Sequence, residues 1–186
     1  EEVKNEIAKA ESAKPAATVK TKKKVYKDTI QAIDLDKNEA IKLEVTIRDA
    51  LQLKSLLERT RPFAYFILPK EKAIVDRLKT LGLKLTQLEE EKQFEVESYT
   101  VTEYEKEAEK YEGVNRQTVS TELKTSTKSF PIGTFVVKMN QSNANMAMEV
   151  LEPEVKNSFI TFQVIETEQG AELPIYRLIK TDPSLR

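Results

Sequence analysis

The side chains that most often carry enzymatic chemistry are missing from this sequence. None of its 186 residues is a histidine and none is a cysteine. It therefore has no imidazole base or imidazole metal ligand, no Ser-His-Asp arrangement, no thiolate nucleophile and no thiolate zinc site. Its glycines, at positions 82, 113, 133 and 170, are too scattered for a phosphate-cradling loop. Any reaction would have to run on carboxylate, lysine, hydroxyl or phenol groups.

Carboxylates are plentiful, so they are weighed first. Between Gln87 and Glu112, ten glutamates stand against three lysines. Glycoside hydrolysis uses two such carboxyls about 5–10 Å apart in a cleft, and a calcium ion takes roughly six to eight oxygen ligands. Yet the stretch has no aspartate and no glycine-supported ligand loop. Its aromatic residues are Phe94, Tyr99, Tyr104 and Tyr111, and the chain has no tryptophan to form a sugar platform. Solvated strand edges account for the glutamates without a site, and charge there also keeps strands from pairing with other chains. A second polar group, Asn140-Gln141-Ser142-Asn143, precedes a helix whose free backbone N–H groups suit an anion. Helix capping by Ser142 is the simpler role. Phe63, Tyr65 and Phe66 read as core, and Met139, Met146 and Met148 as core gap-fillers. No catalytic, cofactor-binding or metal-ligating residue is assigned.

The elements that would position these groups are mostly strands. Thr29 to Leu35 and the alternating Ile41, Leu43, Val45 and Ile47 form two runs joined by Asp36-Lys37-Asn38, which predicts a hairpin. Leu51 to Leu57 fits a short helix or a loop equally well. Pro62 to Pro69 is a continuous apolar run, the mark of a strand covered on both faces. Ile74, Leu78 and Leu81 then recur at helical spacing between Pro69 and Gly82, and Leu83, Leu85 and Leu88 suggest a strand after them. That order predicts a parallel crossover. Further strands are expected at Phe94–Val101, Val114–Leu123, Thr134–Met139, Ser158–Ile165 and Leu173–Ile179, interrupted by a helix from Ser142 to Leu151 that Pro153 ends. The fold class is α+β, mostly β: a sandwich-like antiparallel or mixed sheet domain with two short helices.

Residues 1–24 hold seven lysines, four glutamates and few large apolar side chains. They read as a flexible lysine-rich linker or tail, with 25–186 as a single β-rich domain. The chain begins at Glu1 with neither a methionine nor a leader, which points to a segment of a longer protein. The formal net charge of −1 offers no global field for nucleic acid or an anionic membrane. No apolar run reaches the roughly 18 residues that a membrane span needs.

Several segments together resemble a known family. Arg61 to Pro69 is similar to an R-P-x-A-Y-x-(I/L)-P segment that lies downstream of the catalytic domain in bacterial zinc carboxypeptidase-like proteins of the M14 family. Leu78 to Leu85 resembles the L-K-x-(H/N)-G-(I/V)-x-(V/L) stretch that follows there, and Val96 to Val101 resembles V-E-x-Y-x-(V/I). Tyr111-Glu112-Gly113 is similar to Y-E-G, and Phe130 to Val137 to F-P-x-G-(T/S)-(Y/F)-V-V. Asn140-Gln141 and Leu151-Glu152-Pro153-Glu154 are similar to N-Q-P and L-E-P-E, with Ser142 in place of the proline. Glu166 to Glu172 lacks the aromatic-rich ending of those proteins.

The zinc ligands of that family, an H-x-x-E pair and a later histidine, have no counterpart here. The resemblance implies a non-catalytic accessory module that stabilises a peptidase domain or shapes access to its cleft. It also implies an extracytoplasmic setting. The expected partner is a peptidase domain of the parent protein or another protein, without nucleic acid, membrane insertion or cofactor. An independent module binding a glycan, peptide or partner protein is the alternative.

Overall fold

The computed structural model describes residues 16–185. Two extended runs at the start of this range form a long antiparallel ribbon, β1 (Ala16–Asp34) and β2 (Glu39–Thr60). The turn at 35–38 closes it, with Asn38 in the left-handed region at φ 52°, where asparagine is tolerated better than most residues. The predicted hairpin is thus present. Residues 1–15 of the expected tail lie outside the described range, and Ala16 to Lys24 form the first part of β1.

Leu51 to Leu57 is neither helix nor loop but part of β2. Its pattern misleads because the strand is broken by a bulge. Lys23 pairs with Leu53 while Lys24 pairs with Asp49, so residues 50–52 have no partner and Leu51 is 96% exposed. The Asp49 carboxylate holds the bulge, accepting from the backbone N–H of Leu51 at 2.8 Å and of Gln52 at 3.2 Å.

The rest of the chain builds a six-stranded antiparallel sheet in the order β4-β7-β3-β8-β5-β6. Its strands are β3 (Ala64–Ile67), β4 (Thr86–Gln87), β5 (Lys92–Lys106), β6 (Gln117–Phe130), β7 (Phe135–Lys138) and β8 (Glu172–Leu178). Two helices, α1 (Lys72–Thr80) and α2 (Ala144–Leu151), complete it, giving the mostly β α+β class expected from the sequence.

The proline-bounded run supplies β3, and all four of its residues are buried. Tyr65 and Ile67 join the core under the helices, with Ile74, Leu78, Ala147 and Leu151. Ala64 and Phe66 point the other way, into a second core with Phe94, Phe130 and Tyr176. Burial on both faces is why this strand reads as continuous apolar sequence. The crossover through α1 also forms, with two differences: the strand expected over Leu83 to Leu88 shrinks to Thr86–Gln87, and the two strands are not neighbours. Both β3 and β4 run antiparallel to β7, so they are parallel to each other, but β7 sits between them.

Two other expectations are corrected. Ser158–Ile165 is a series of turns and not a strand. Its buried residues Phe159, Ile160 and Ile165 pack on the helical face, so apolar content there reflects burial without pairing. Strand β6 starts at Gln117, later than Val114, because Tyr111 and Val114 close a separate turn.

The second core is an aromatic cluster. Phe66 lies 4.8 Å from Phe94 and 4.7 Å from Phe130, ring centre to ring centre, and Phe130 meets Tyr176 edge-on at 5.3 Å. Truncating the ring at the centre removes packing on several sides at once. Phe66→Ala is expected to cost about 3–5 kcal/mol in urea denaturation. Ile132→Ala, on an exposed loop, is expected to stay within about 0.5 kcal/mol of the parent.

Candidate functional site

Beneath the helices, strand register assembles a row of side chains that sequence alone does not join. Tyr65 on β3 lies directly opposite Arg177 on β8, and Arg177 opposite Glu97 on β5. Residues opposed across neighbouring strands share a face, so phenol, guanidinium and carboxylate line up across the sheet. Arg177 is 1% exposed. Its Nη1 donates to Glu97 Oε2 at 2.7 Å, and its Nη2 to the carbonyl oxygen of Thr60 at the end of β2.

The row is closed from above by the end of α2. Glu152 caps that helix in an extended conformation, its N–H donating to the Met148 carbonyl at 3.0 Å, and Pro153 prevents the helix from continuing. The chain turn drops the Glu152 carboxylate onto the sheet, where it is fully buried. Glu152 Oε1 accepts from the Tyr65 hydroxyl at 2.7 Å and lies 3.2 Å from Arg177 Nε. Two residues on, Glu154 Oε1 accepts from Arg59 Nη2 at 2.6 Å and from the Thr121 N–H and hydroxyl on β6 at 2.9 and 2.7 Å. Arg61 Nη1 donates to Asn145 Oδ1 in the first turn of α2 at 2.9 Å. Arg59 and Arg61 thus flank Thr60, and three successive residues bind the ribbon's end to the helix, the sheet and Arg177.

Three arginines and three glutamates balance in charge, which keeps the burial tolerable. Desolvating each ion alone costs several kcal/mol, and only close pairing with satisfied hydrogen bonds offsets it. Burial pulls the Arg177 pKa down, but Tyr99, Glu152, Tyr65 and Glu97 around it outweigh that and leave it raised. Burial likewise pushes the Tyr65 and Tyr99 phenols well above their ordinary range, and the Glu152 charge adds to the effect. The two phenols differ in partners. Tyr65 donates to Glu152, whereas the buried Tyr99 hydroxyl has no hydrogen-bond partner among the described residues. The Tyr99 ring lies 5.2 Å from the Arg59 guanidinium, within cation–π range.

This arrangement holds charge in place. Each carboxylate is engaged through one oxygen by an arginine, a phenol or a backbone donor, while the buried Glu152 Oε2 and Glu154 Oε2 have no hydrogen-bond partner among the described residues. Two surface hollows, about 690 and 570 Å³, are lined by Thr86–Glu90 with Lys138 and by the ribbon's base with Arg116; the second touches the cluster at Glu154, and neither reaches Tyr65, Glu152 or Arg177.

The residues weighed in the sequence fall into different places. Of the glutamate-rich stretch, Glu97 belongs to the cluster. Glu95, Glu103 and Glu107 make cross-strand or turn contacts with Lys180, Ser120 and Arg116 at 2.6–2.9 Å. Among the described residues no group of three or more acidic side chains is placed to hold a metal ion. The Asn140–Asn143 loop is a clasp. Gln141 accepts from the Lys84 N–H at 2.8 Å, and Asn143 donates to the carbonyls of Leu81 and Gly82 at 3.3 and 3.2 Å. Asn143, not Ser142, occupies the N-cap position, without a side-chain capping bond. Gly82 is needed beside it, since its φ is +77° and an added Cβ would stand 2.9 Å from Asn143 Nδ2. Met139 and Met148 are core residues as expected, but Met146 faces outward from α2 and is exposed.

Sequence reasoning missed the cluster as a unit. One signal was available. Arg177 is a lone charge inside Leu173-Pro-Ile-Tyr-Arg-Leu-Ile179, and arginine in so apolar a strand is rarely buried without a partner.

The chain is 41% identical over 125 residues to carboxypeptidase 2 of Trichophyton equinum and 40% identical over 125 residues to that of Trichophyton tonsurans. The Trichophyton rubrum protein is 41% identical over 123 residues. These matches take in 66–67% of this chain but 23% of each relative. The chain therefore spans under a quarter of the length of the curated relatives it matches. The relatives are fungal, where the motif resemblance had implied a bacterial family. No family model matches the sequence, and no solved structure matches it.

The two buried phenols make a paired test. Tyr65→Phe leaves a buried carboxylate short of a donor and is expected to cost about 1.5–3 kcal/mol, while Tyr99→Phe, removing an unpaired hydroxyl, is expected to be neutral or stabilising. With folded-state pKa values raised above the unfolded value of 10.0, both tyrosines hold their full stabilising contribution below pH 10. That contribution is lost as pH rises further, by up to about 1.4 kcal/mol per pH unit for each group. Denaturation in urea between pH 8 and pH 11 (roughly the span around the tyrosine range) is expected to show a shallower alkaline fall for Tyr65→Phe than for the parent.

Proposed function

We propose that this chain is a non-catalytic accessory module of a carboxypeptidase-like protein, stabilising or shaping access to a peptidase domain carried elsewhere in a longer polypeptide. The observation that carries this reading is the kind of match: about two thirds of the chain aligns with carboxypeptidase 2, yet with only 23% of that protein. The residue chemistry supports it. The chain has no histidine or cysteine, and its most buried charges are spent on one another. The polar positions of the motif segments, Arg61, Tyr65, Glu97, Tyr99, Glu152 and Glu154, come together in or beside that cluster. An extracytoplasmic setting follows from the same reading. No helix among the described residues is long and apolar enough to cross a membrane.

A free-standing binding module is the second reading, favoured by the exposed aliphatic residues of the ribbon. Their aliphatic character suits a protein surface better than a sugar ring.

The purified chain, supplied with zinc, is expected to release no C-terminal residue from unstructured peptides above a buffer blank. Release that a chelator abolishes and zinc restores would overturn the accessory reading.

A further inference from the structure

The ribbon of β1 and β2 has one mostly apolar face that lies outside both cores, half-buried at Tyr26, Ile41, Val45 and Ile47 and exposed at Ile30 and Leu43. Alternation along the strands and their register put Tyr26, Ile30, Ile41, Leu43, Val45 and Ile47 on that face, with one charged residue among them, Asp28 opposite Val45, whose carboxylate accepts from the Thr29 N–H at 2.7 Å. The opposite face carries Lys27, Thr29, Gln31, Lys42, Glu44 and Thr46, with Val25 and Ile33 towards its ends. None of the six apolar residues belongs to either core. At the middle of the strip, Ile30 and Leu43 stand opposite each other and are 45% and 42% exposed.

Such a ribbon does not stand well by itself. An isolated two-stranded hairpin is marginal in water and needs a third strand or a packed face for stability. The polar face already meets solvent, so the missing cover belongs on the apolar one. The size of the strip limits what that cover is. Seven residues per strand give a face roughly 25 Å by 10 Å, on the order of 300–400 Å² of accessible surface. A stable dimer between free chains needs about 800 Å² from each partner, which this strip does not supply. Contacts between domains of one polypeptide total about 600–1,500 Å², and tethering raises the partner's effective concentration to about the millimolar range. The relatives, of which this chain matches under a quarter, have ample length for such a domain.

We infer that the apolar face of the ribbon is the docking surface for the folded peptidase-like domain of the longer polypeptide, which meets it with an aliphatic patch. The inference rests on the accessory reading above. It also gives the cluster around Arg59, Thr60 and Arg177 a task, since those residues fix the angle at which the ribbon leaves the sheet.

Hydrogen exchange measured by mass spectrometry on this chain and on the longer polypeptide tests it. Amides of residues 24–34 and 39–49 are expected to exchange at least about tenfold more slowly in the longer polypeptide, and those of β8 equally in both. Ile30→Asp in the longer polypeptide is expected to restore fast exchange of the ribbon, while Thr29→Lys on the polar face leaves it slow. Equal, fast exchange in the presence of a second folded domain would overturn the docking inference and leave the accessory reading standing. Protection in the isolated chain that rises with its concentration and vanishes with Ile30→Asp would assign the face to a second copy, also overturning it. A longer polypeptide with no second folded domain would overturn the accessory reading itself.

Discussion

Strands β3, β5 and β8, the end of α2 and the end of the ribbon meet at one buried ion pair. Arg177 and Glu152 lie 3.2 Å apart with essentially no solvent at either side chain. Neither charge is tolerable there alone, so each element that touches them is constrained by the other's position. Glu152 requires α2 to end where Pro153 ends it. Arg177 requires β8 to lie between β3 and β5, where Tyr65 and Glu97 flank it, and requires the carbonyl of Thr60 to arrive from the ribbon. A hydrophobic core sets volume and pattern but tolerates sliding. A buried pair whose members are each hydrogen-bonded directionally, Glu152 to Tyr65 and Arg177 to Glu97 and Thr60, selects one arrangement.

Much of the architecture was legible from pattern. The hairpin, the doubly covered β3, α1, α2 and strands β5, β7 and β8 follow from alternation, helical spacing and the placement of proline and glycine. What pattern could not supply was pairing between distant segments. The apolar run at Ser158–Ile165 packs against the core without joining a ladder, and composition does not distinguish those outcomes. Leu51 to Leu57 defied reading because the bulge held by Asp49 shifts the parity that strand recognition uses. The insertion of β7 between β3 and β4 is a matter of topology that no local signal carries.

The cluster was only half legible, for the same reason. Arg61, Tyr65, Glu97 and Glu152 stood out individually within family-like segments, but their meeting depends on register across β3, β8 and β5. The glutamate-rich stretch drew attention as a group, yet one member, Glu97, matters to the interior. Its neighbours pair along the sheet surface with Lys180, Arg116 and Ser120. Number of carboxylates was a poor guide, and position relative to a buried arginine a good one. The cluster turns its charge inward, while Ile30 and Leu43 of the ribbon face outward.

The central claim is that Arg177 and Glu152 act as one stabilising unit. A double-mutant cycle with Arg177→Met and Glu152→Gln, read by urea denaturation, measures that directly. Each single variant is expected to lose roughly 3–5 kcal/mol. The double variant is expected to lose at least about 2 kcal/mol less than their sum, because removing both charges leaves neither one stranded. Losses that add to within about 0.5 kcal/mol would show that the two residues act independently, and would contradict the account.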